Sequence, residues 1–230
     1  YHKKKLDSGA DLIVNVLGAN HSGHVPRLQA AIKALGFDVS KFKPVVYQYV
    51  RLKKGEEVVK MSKRTGDFVT AREVLDIVGK DAFRYFLLTS SPETHMDFDM
   101  DLASKKAKEN PVFYIQYAYA RISSIFKKSD NGEFKDADLS LLKAEDEILL
   151  LRHLVKFPQF IESISANLYV HQLTNYAYDT ANLFHRFYES QQILSADKKL
   201  SSARLALAKA TEVVLKENLT LLGIESPKKM

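Results

Sequence analysis

The sequence contains no cysteine and no tryptophan, and it has few glycines and prolines, nine and six in 230 residues. Without cysteine the protein cannot form disulfides, thiolate zinc sites or thiol nucleophiles. No run of about 18 apolar residues is present, so the sequence predicts no membrane span, and no secretory leader opens it. We expect a cytoplasmic protein, with enough hydrophobic residues, 46% of the chain, to form packed cores.

The excess of positive over negative charge lies in the first part of the chain. The net charge is +6, but residues 1–70 alone carry 13 Lys and Arg against 6 Asp and Glu. The remaining 160 residues are close to neutral. This excess favours a phosphate-rich ligand for the first part. If the remainder binds nucleic acid, it should do so through stacking and selected contacts instead of bulk charge.

The first part of the chain alternates between strand and helix patterns. Residues 11–17 are apolar and β-branched, which predicts a buried parallel strand, and residues 25–35 predict a helix. The polar turn Gly18–His24 between them lies where ligands bind in such βα units. His21 and His24 could suggest a metal. Without a third ligand, hydrogen bonding beside a nucleotide is the preferred interpretation, and no protein-bound metal is expected.

A basic loop, residues 60–66, follows the next predicted strand, residues 45–52, in which Gln48 is a polar insert. Its lysines, arginine and glycine suit a polyphosphate, although a solvated basic turn is the alternative. Behind the loop, Thr70 and Glu73 match a capping box that begins a helix. The sequence then predicts a short buried helix over 81–89 and a loop over 90–100.

Residues after about 99 predict helices only. The patterns predict a long helix over 101–128 interrupted at Pro111 and capped by Asn110, then helices over 139–164 with a kink at Pro158, over 167–188 and over 200–222. The expected fold class is therefore α/β in residues 1–98 followed by all-α in residues 99–230. Tyr114, Tyr117 and Arg121 share one helix face, which suits stacking on unpaired bases or, alternatively, burial in the bundle core.

The segment Lys60–Arg64, Lys-Met-Ser-Lys-Arg, resembles the KMSKS signature of class I aminoacyl-tRNA synthetases, with Arg64 at the final position. The wider strings at 60–70, 79–103 and 109–122 resemble arginyl-tRNA synthetase of the bacterial type. Residues 18–27 resemble that family's Gly-Ala-Asp-His-x-Gly segment, with Asn20 in place of Asp. Together these strings extend the resemblance over essentially the whole chain.

The resemblance implies that ATP, accompanied by Mg²⁺, activates arginine as the adenylate, and that arginine then passes to tRNA(Arg). It implies a partial Rossmann-type nucleotide-binding segment followed by a helical anticodon-binding bundle, in a monomer. The implied catalytic residues are Lys60, Ser62 and Lys63. The implied ATP and substrate contacts are Gly18, Asn20, His21, Gly23, His24, Gln48, Met61 and Arg64. The implied tRNA contacts are Tyr114, Gln116, Tyr117 and Arg121.

The chain begins with Tyr1, and we expect it to be a piece of a longer protein. The family's HIGH signature, its main arginine-recognising residues and its amino-terminal domain would precede Tyr1, so we expect this chain alone not to charge tRNA. Two alternatives stay open: a non-catalytic tRNA-binding module and a part of another class I synthetase. The intact Lys60–Lys63 segment argues against the first, and the arginyl-type strings argue against the second.

Overall fold

The computed structural model describes residues 1–55, 57–59, 69–129, 134 and 136–230. The chain divides into two compact units. The first, the α/β unit, comprises Tyr1–Val59 and Ser90–Phe98, and the second, the helical unit, comprises Lys60–Thr89 and Asp99–Met230. The predicted fold class, α/β followed by all-α, is confirmed, although residues 60–89 cluster with the helical unit.

The α/β unit contains the predicted parallel strand pair. After a short helix, α1 (His2–Leu6), strand β1 (Ile13–Gly18) leads through a 3-10 turn, Ala19–His24, into α2 (Val25–Ala34). The chain returns through a second 3-10 turn, Val39–Lys41, to β2 (Phe42–Tyr47), which runs parallel to β1. In this register Ile13 lies opposite Phe42, and Gly18 lies opposite Tyr47. The two carboxyl ends therefore lie side by side.

Within the described residues, β1 is covered on the face that carries Ile13. Ile13, Ile32 and Phe42 are buried together, so α2 packs on that face. On β1, Val14 is 41% exposed and Val16 is 63% exposed. The expectation that β1 is a buried strand is therefore correct for its Ile13 side and wrong for its valines.

A second small sheet has the order β4-β3-β5 and joins β3 (Val50–Lys54), β4 (Glu57–Val58) and β5 (Met96–Asp99). The predicted strand 45–52 is in fact β2 and β3, interrupted at Gln48 and Tyr49. The predicted loop 90–100 contains β5, so that prediction was wrong there. Buried Met96 and Phe98 alternate with less buried aspartates, a strand pattern only four residues long. Asp97 accepts bonds from Arg51 and Lys53 on β3 at 2.6 and 2.8 Å.

The helical unit begins with two short helices, α3 (Ala71–Val78) and α4 (Lys80–Leu87). The predicted capping box is confirmed, because the Glu73 backbone N–H donates to Thr70 Oγ1 and the Thr70 N–H donates to Glu73 Oε2. The short buried helix after Gly79 is confirmed as well, with Tyr85 and Phe86 buried.

The bundle that follows consists of α5 (Met100–Ser104), α6 (Pro111–Lys128), α7 (Glu145–Leu154), α8 (Phe157–Asn167), α9 (Gln172–Ser190) and α10 (Lys198–Leu222). The predicted helices 101–128 and 139–164 are each divided. Pro111 and Pro158 lie in the first turns of α6 and α8, where the missing N–H has no intrahelical partner to lose, so Pro158 begins a helix instead of kinking one. Asn110 caps α6 as predicted, by accepting from the Val112 N–H at 3.0 Å.

The core of the helical unit contains side chains that are almost completely buried: Ile115, Ile122, Leu150, Phe184, Phe187, Leu207, Leu215, Leu219 and Leu222. Helix α10 ends at Gly223, whose φ is +68°. A Cβ there would lie 2.6 Å from Arg84 Nε, which itself donates to the Leu222 carbonyl at 2.8 Å. Across the described ranges, no helix is both long and apolar enough to cross a membrane.

Candidate functional site

The polar turn predicted to contact a nucleotide follows the carboxyl end of β1. Gly18 is the last residue of β1, and Asn20, His21, Gly23 and His24 form the exposed 3-10 turn that leads into α2. A Cβ on Gly18 would lie 2.9 Å from Asn20 Oδ1, so the backbone and the Asn20 side chain approach each other closely there. Apart from its chain neighbours, no atom of the described residues lies within 4 Å of where a Cβ on Gly23 would be, so this part of the turn is open.

Gln48 lies at the same edge of the sheet as this turn. It directly follows β2, and the last residue of β2, Tyr47, is paired with Gly18. The Gln48 backbone N–H donates to the Pro92 carbonyl at 2.8 Å, and its side chain is half-buried. The structure therefore brings together the parts of the predicted nucleotide site that follow β1 and β2.

The turn presents hydrogen-bonding groups without a carboxylate. The rings of His21 and His24 lie 5.8 Å apart at a tilt of 37°. In the part of the chain that the structure describes, no group of three or more histidines and carboxylates is placed to hold a metal ion. The predicted loop residues Lys60, Met61, Ser62, Lys63 and Arg64 lie outside the described residues.

In the helical unit, an arginine lies between two tyrosine rings. Arg121 and Tyr117 belong to α6, and Tyr188 belongs to α9. The Arg121 guanidinium carbon is 4.7 Å from the ring centroid of Tyr117 and 4.4 Å from that of Tyr188. Arg121 also donates to the Tyr117 hydroxyl at 2.6 Å. Such cation–π contacts hold the planar groups in fixed positions.

These three residues line a groove of about 490 Å³, the α6–α9 groove. Its other walls are the chain between α9 and α10 and the last two residues, Lys229 and Met230. Among the described residues, no carboxylate forms an ion pair with Arg121, Lys128 or Lys229. The groove therefore combines aromatic faces with uncompensated positive charge, the combination that binds single-stranded nucleic acid. The lining comprises Tyr117, Ala120, Arg121, Ser124, Ile125, Lys128, Tyr188, Gln191, Gln192, Ile193, Leu194, Lys229 and Met230.

A buried histidine supports the tyrosines from behind. His185 is 6% exposed, and its ring lies 5.8 Å from that of Tyr117 and 4.6 Å from that of Tyr114. Burial, with help from the positive charge of Arg121, holds the pKa of His185 below its usual value, although a backbone bond at Tyr114 opposes this shift. A neutral ring is therefore favoured beside the Arg121 guanidinium.

The four predicted tRNA contacts are not all in one place. Tyr117 and Arg121 line the groove, while Tyr114 lies outside its lining, with its hydroxyl 3.4 Å from Asn182 Oδ1. The Gln116 amide donates to Asp81 Oδ2 and to the Glu225 carbonyl, at 2.8 and 2.9 Å, in a separate pocket. Gln116 thus joins α4, α6 and the C-terminal segment.

The sequence reasoning missed Tyr188 and the C-terminal residues of the groove. Helical spacing could not identify Tyr188, because it follows Phe184 by one turn and belongs to the same stripe, yet it is exposed where Phe184 is buried. No local signal marks Lys229 or Met230 either.

Two family models match the chain. The model described as "DALR anticodon binding domain" matches residues 115–230, which include the whole lining of the α6–α9 groove. The model described as "tRNA synthetases class I (K)" matches residues 18–131, which include the polar turn. The two matches together therefore cover both candidate sites.

Curated relatives and solved structures agree with these matches. Proteins named arginine–tRNA ligase from Carboxydothermus hydrogenoformans and Desulforudis audaxviator are 46% and 48% identical to the chain over its full length. The chain spans 42% of the length of each. A solved Campylobacter jejuni protein, provisionally described as an arginyl-tRNA synthetase, superposes with a TM-score of 0.89 at 31% identity, covering 100% of this chain and 50% of that one.

Proposed function

The chain belongs to the arginine–tRNA ligase family of class I aminoacyl-tRNA synthetases, and on this premise we propose that its α6–α9 groove binds the anticodon loop of tRNA(Arg). The observation that carries this proposal is the Arg121 guanidinium held between the rings of Tyr117 and Tyr188 in an open groove. These planar groups suit unpaired bases, which RNA presents in its loops.

The groove offers two kinds of contact to an RNA loop. A base that stacks on Tyr117 or Tyr188 gains about 1–3 kcal/mol, whatever its identity. Lys128 and Lys229 lie at the same groove and supply charge for the flanking phosphates. His185 stacks beside the Tyr117 ring, and Tyr114 in turn packs against His185. Gln116 holds α6 against α4 and the C-terminal segment. In this proposal Tyr117 and Arg121 contact the RNA directly. Tyr114 and Gln116 do not touch it but help to hold the contacting residues in place.

The α/β unit is proposed to contribute to ATP binding. The exposed groups of Asn20, His21 and His24 are available to hydrogen-bond a nucleotide, and the open backbone at Gly23 allows close approach. Gln48 contributes from the position after β2. Gly18 has no Cβ and therefore leaves room for the Asn20 side chain. Met61 and Arg64 are proposed as further contacts. ATP, with its Mg²⁺, supplies the adenylyl group that activates arginine.

The residues proposed to handle the phosphates are Lys60, Ser62 and Lys63, whose order in the sequence is the support for this role. Their ammonium and hydroxyl groups would stabilise charge on the departing pyrophosphate. In the whole protein, Lys63→Ala should lower the rate of pyrophosphate exchange by about a hundredfold or more, like the loss of one preorganised donor. A rate close to that of the unchanged protein would contradict the role given to Lys63.

For the whole protein we propose the reaction in which ATP, arginine and tRNA(Arg) yield arginyl-tRNA, AMP and pyrophosphate. We further propose a cytoplasmic monomer, as the resemblance to the family implies. Filter binding of the 230-residue chain to tRNA(Arg) tests the anticodon assignment. Transcripts with each anticodon base changed singly should bind about fivefold to tenfold more weakly at one position or more, because a changed base loses hydrogen bonds that its edge makes in the groove, worth about 1 kcal/mol each. Equal affinity for all transcripts would contradict the assignment.

A further inference from the structure

The first part of the chain between α9 and α10, residues 191–194, forms one wall of the groove and is held in place by α10. Arg204 Nη1 donates to the Gln192 carbonyl at 2.9 Å, and Arg204 Nη2 donates to the Gln191 side-chain oxygen at 2.6 Å. One turn earlier on α10, the Ser201 hydroxyl donates to the Ile193 carbonyl at 2.9 Å. Three consecutive wall residues are therefore anchored by two side chains of one helix.

The arginine that makes these bonds is buried and neutralised. Arg204 is 8% exposed, and its Nε donates at 2.7 Å to Oε1 of Glu147, which is 1% exposed. The other carboxylate oxygen of Glu147 accepts from the Ala144 N–H at 2.9 Å. Each nitrogen of the guanidinium therefore has a defined acceptor, and the planar fork fixes the three directions relative to one another.

Stability alone does not account for this arrangement. Burying two charges costs free energy, and well-packed apolar side chains of similar volume often serve stability equally well. An apolar pair could not hold the Gln192 carbonyl and the Gln191 amide in place. What the Glu147–Arg204 pair adds is a fixed conformation of the wall.

The wall carries a polar group that has no partner within the described chain. Gln192 is exposed and lines the groove beside Tyr117 and Tyr188. Its side-chain amide can both donate and accept hydrogen bonds. Base edges in unpaired RNA present donors and acceptors in patterns that differ between bases, whereas stacking does not distinguish them.

We propose that Gln192 reads the hydrogen-bonding edge of a base bound in the groove beside Tyr117 and Tyr188, and that Arg204, neutralised by Glu147, is the positioning residue that fixes the wall carrying Gln192. This inference rests on the proposed binding of the anticodon loop. To that function the inference adds Gln192 as the residue that selects the base and Arg204 as the residue that holds Gln192 in position.

Two variants separate the two roles. Gln192→Ala removes the exposed amide, and Arg204→Lys keeps the charge beside Glu147 but loses the fork. The matched control is Arg186→Lys, because Arg186 likewise pairs with a carboxylate of α7, Asp146 at 2.9 Å, but does not line the groove. The probes are the anticodon stem–loop of tRNA(Arg) and stem–loops with each anticodon base changed singly, in filter binding to the 230-residue chain.

Both test variants should lose selectivity between the unchanged stem–loop and one of the altered ones by about fivefold to tenfold, the worth of one or two hydrogen bonds. Arg186→Lys should keep the selectivity of the unchanged protein. A general loss of stability would weaken binding to all stem–loops and would not change their ratio. Selectivity retained in Gln192→Ala would overturn the role of Gln192.

Amide hydrogen exchange decides the positioning role without RNA. In Arg204→Lys the amide of Gln191, which donates to the Phe187 carbonyl at 3.0 Å, should exchange faster, while those in the middle of α6 keep their rates. Unchanged exchange at Gln191 would overturn the role of Arg204. If the unchanged protein bound all stem–loops equally, the proposed function and the role of Gln192 in selecting a base would both fail. The hydrogen-exchange result would still decide the role of Arg204.

Discussion

The two units of the molecule differ in how their candidate sites are supported. In the α/β unit the polar turn is exposed, and the strand before it has valines that are 41% and 63% exposed. In the helical unit the groove residues rest on buried groups: His185 lies behind Tyr117, and the Glu147–Arg204 pair holds the wall. The comparison indicates that the helical unit contains a preorganised site, whereas the α/β unit presents hydrogen-bonding groups on a thinner core.

The largest expected effect concerns the two cores. Phe184→Ala should lower the free energy of unfolding of the helical unit by about 3–5 kcal/mol, because Phe184 is completely buried. Val16→Ala should change the stability of the α/β unit by less than about 1 kcal/mol, because Val16 is mostly exposed. Amide hydrogen exchange in urea, read separately for α9 and for β1, measures both. Equal effects of the two substitutions would remove the contrast between the units.

Two glycines, one in each unit, show the same difference in packing. Gly223 and Gly9 both have positive φ, +68° and +76°, but only Gly223 has neighbours near the position of a Cβ. Gly9→Ala should cost about 1 kcal/mol, from backbone strain alone. Gly223→Ala should cost about 2–3 kcal/mol, because the new Cβ also displaces Arg84 from the Leu222 carbonyl. Urea denaturation measures both, and a Gly223→Ala cost no greater than that of Gly9→Ala would contradict the close packing inferred here.

The next effect concerns RNA affinity. Arg121→Ala should weaken binding of tRNA(Arg) to the chain by about tenfold or more, because it removes the group that holds both tyrosines and contributes cation–π contact. Lys127→Ala is the matched control, since Lys127 is an exposed cation of α6 that does not line the groove. Equal losses for the two variants would show that charge alone, not the groove, binds the RNA.

The smallest expected effect is a dependence on pH. Burial holds the pKa of His153 and His185 below 6.5 in the helical unit. Because the unfolded chain then binds more protons than the folded chain, stability should fall as the pH decreases from 6.5 toward the lowered pKa values. His185→Asn should show a shallower fall between pH 7 and 5 in thermal unfolding, since one of the two buried rings is gone. An identical fall in both proteins would contradict the buried neutral state of His185.

Local signals explain which features could be predicted from the sequence. The capping box at Thr70 and Glu73, the cap at Asn110 and the strand–turn–helix around Gly18 depend on residues a few positions apart. Strand β5 was missed because four residues carry too little alternation to stand out from a loop. The interruption at Pro111 was predicted because proline lacks the backbone N–H, and α6 begins there. The break between α7 and α8 was missed because an apolar period continues across a short break in a helix.

The groove itself could be predicted only in part, because its walls meet through tertiary packing. Helical spacing placed Tyr117 and Arg121 on one face, but it could not tell whether that face meets solvent or another helix. Gln116, from the same string, bonds to Asp81 and the Glu225 carbonyl instead. Tyr188 and Met230 join the groove from distant parts of the sequence, and no local pattern relates them to α6.

Photocrosslinking tests the assignment of RNA binding to the helical unit most directly. A tRNA(Arg) transcript with thiouridine at one anticodon position would be irradiated in complex with the 230-residue chain, and the crosslinked peptides would be identified by mass spectrometry. Crosslinks are expected within α6 around Tyr117 and in residues 188–194, and they should be lost in Arg121→Ala. Crosslinks confined to residues 1–59 would contradict this assignment.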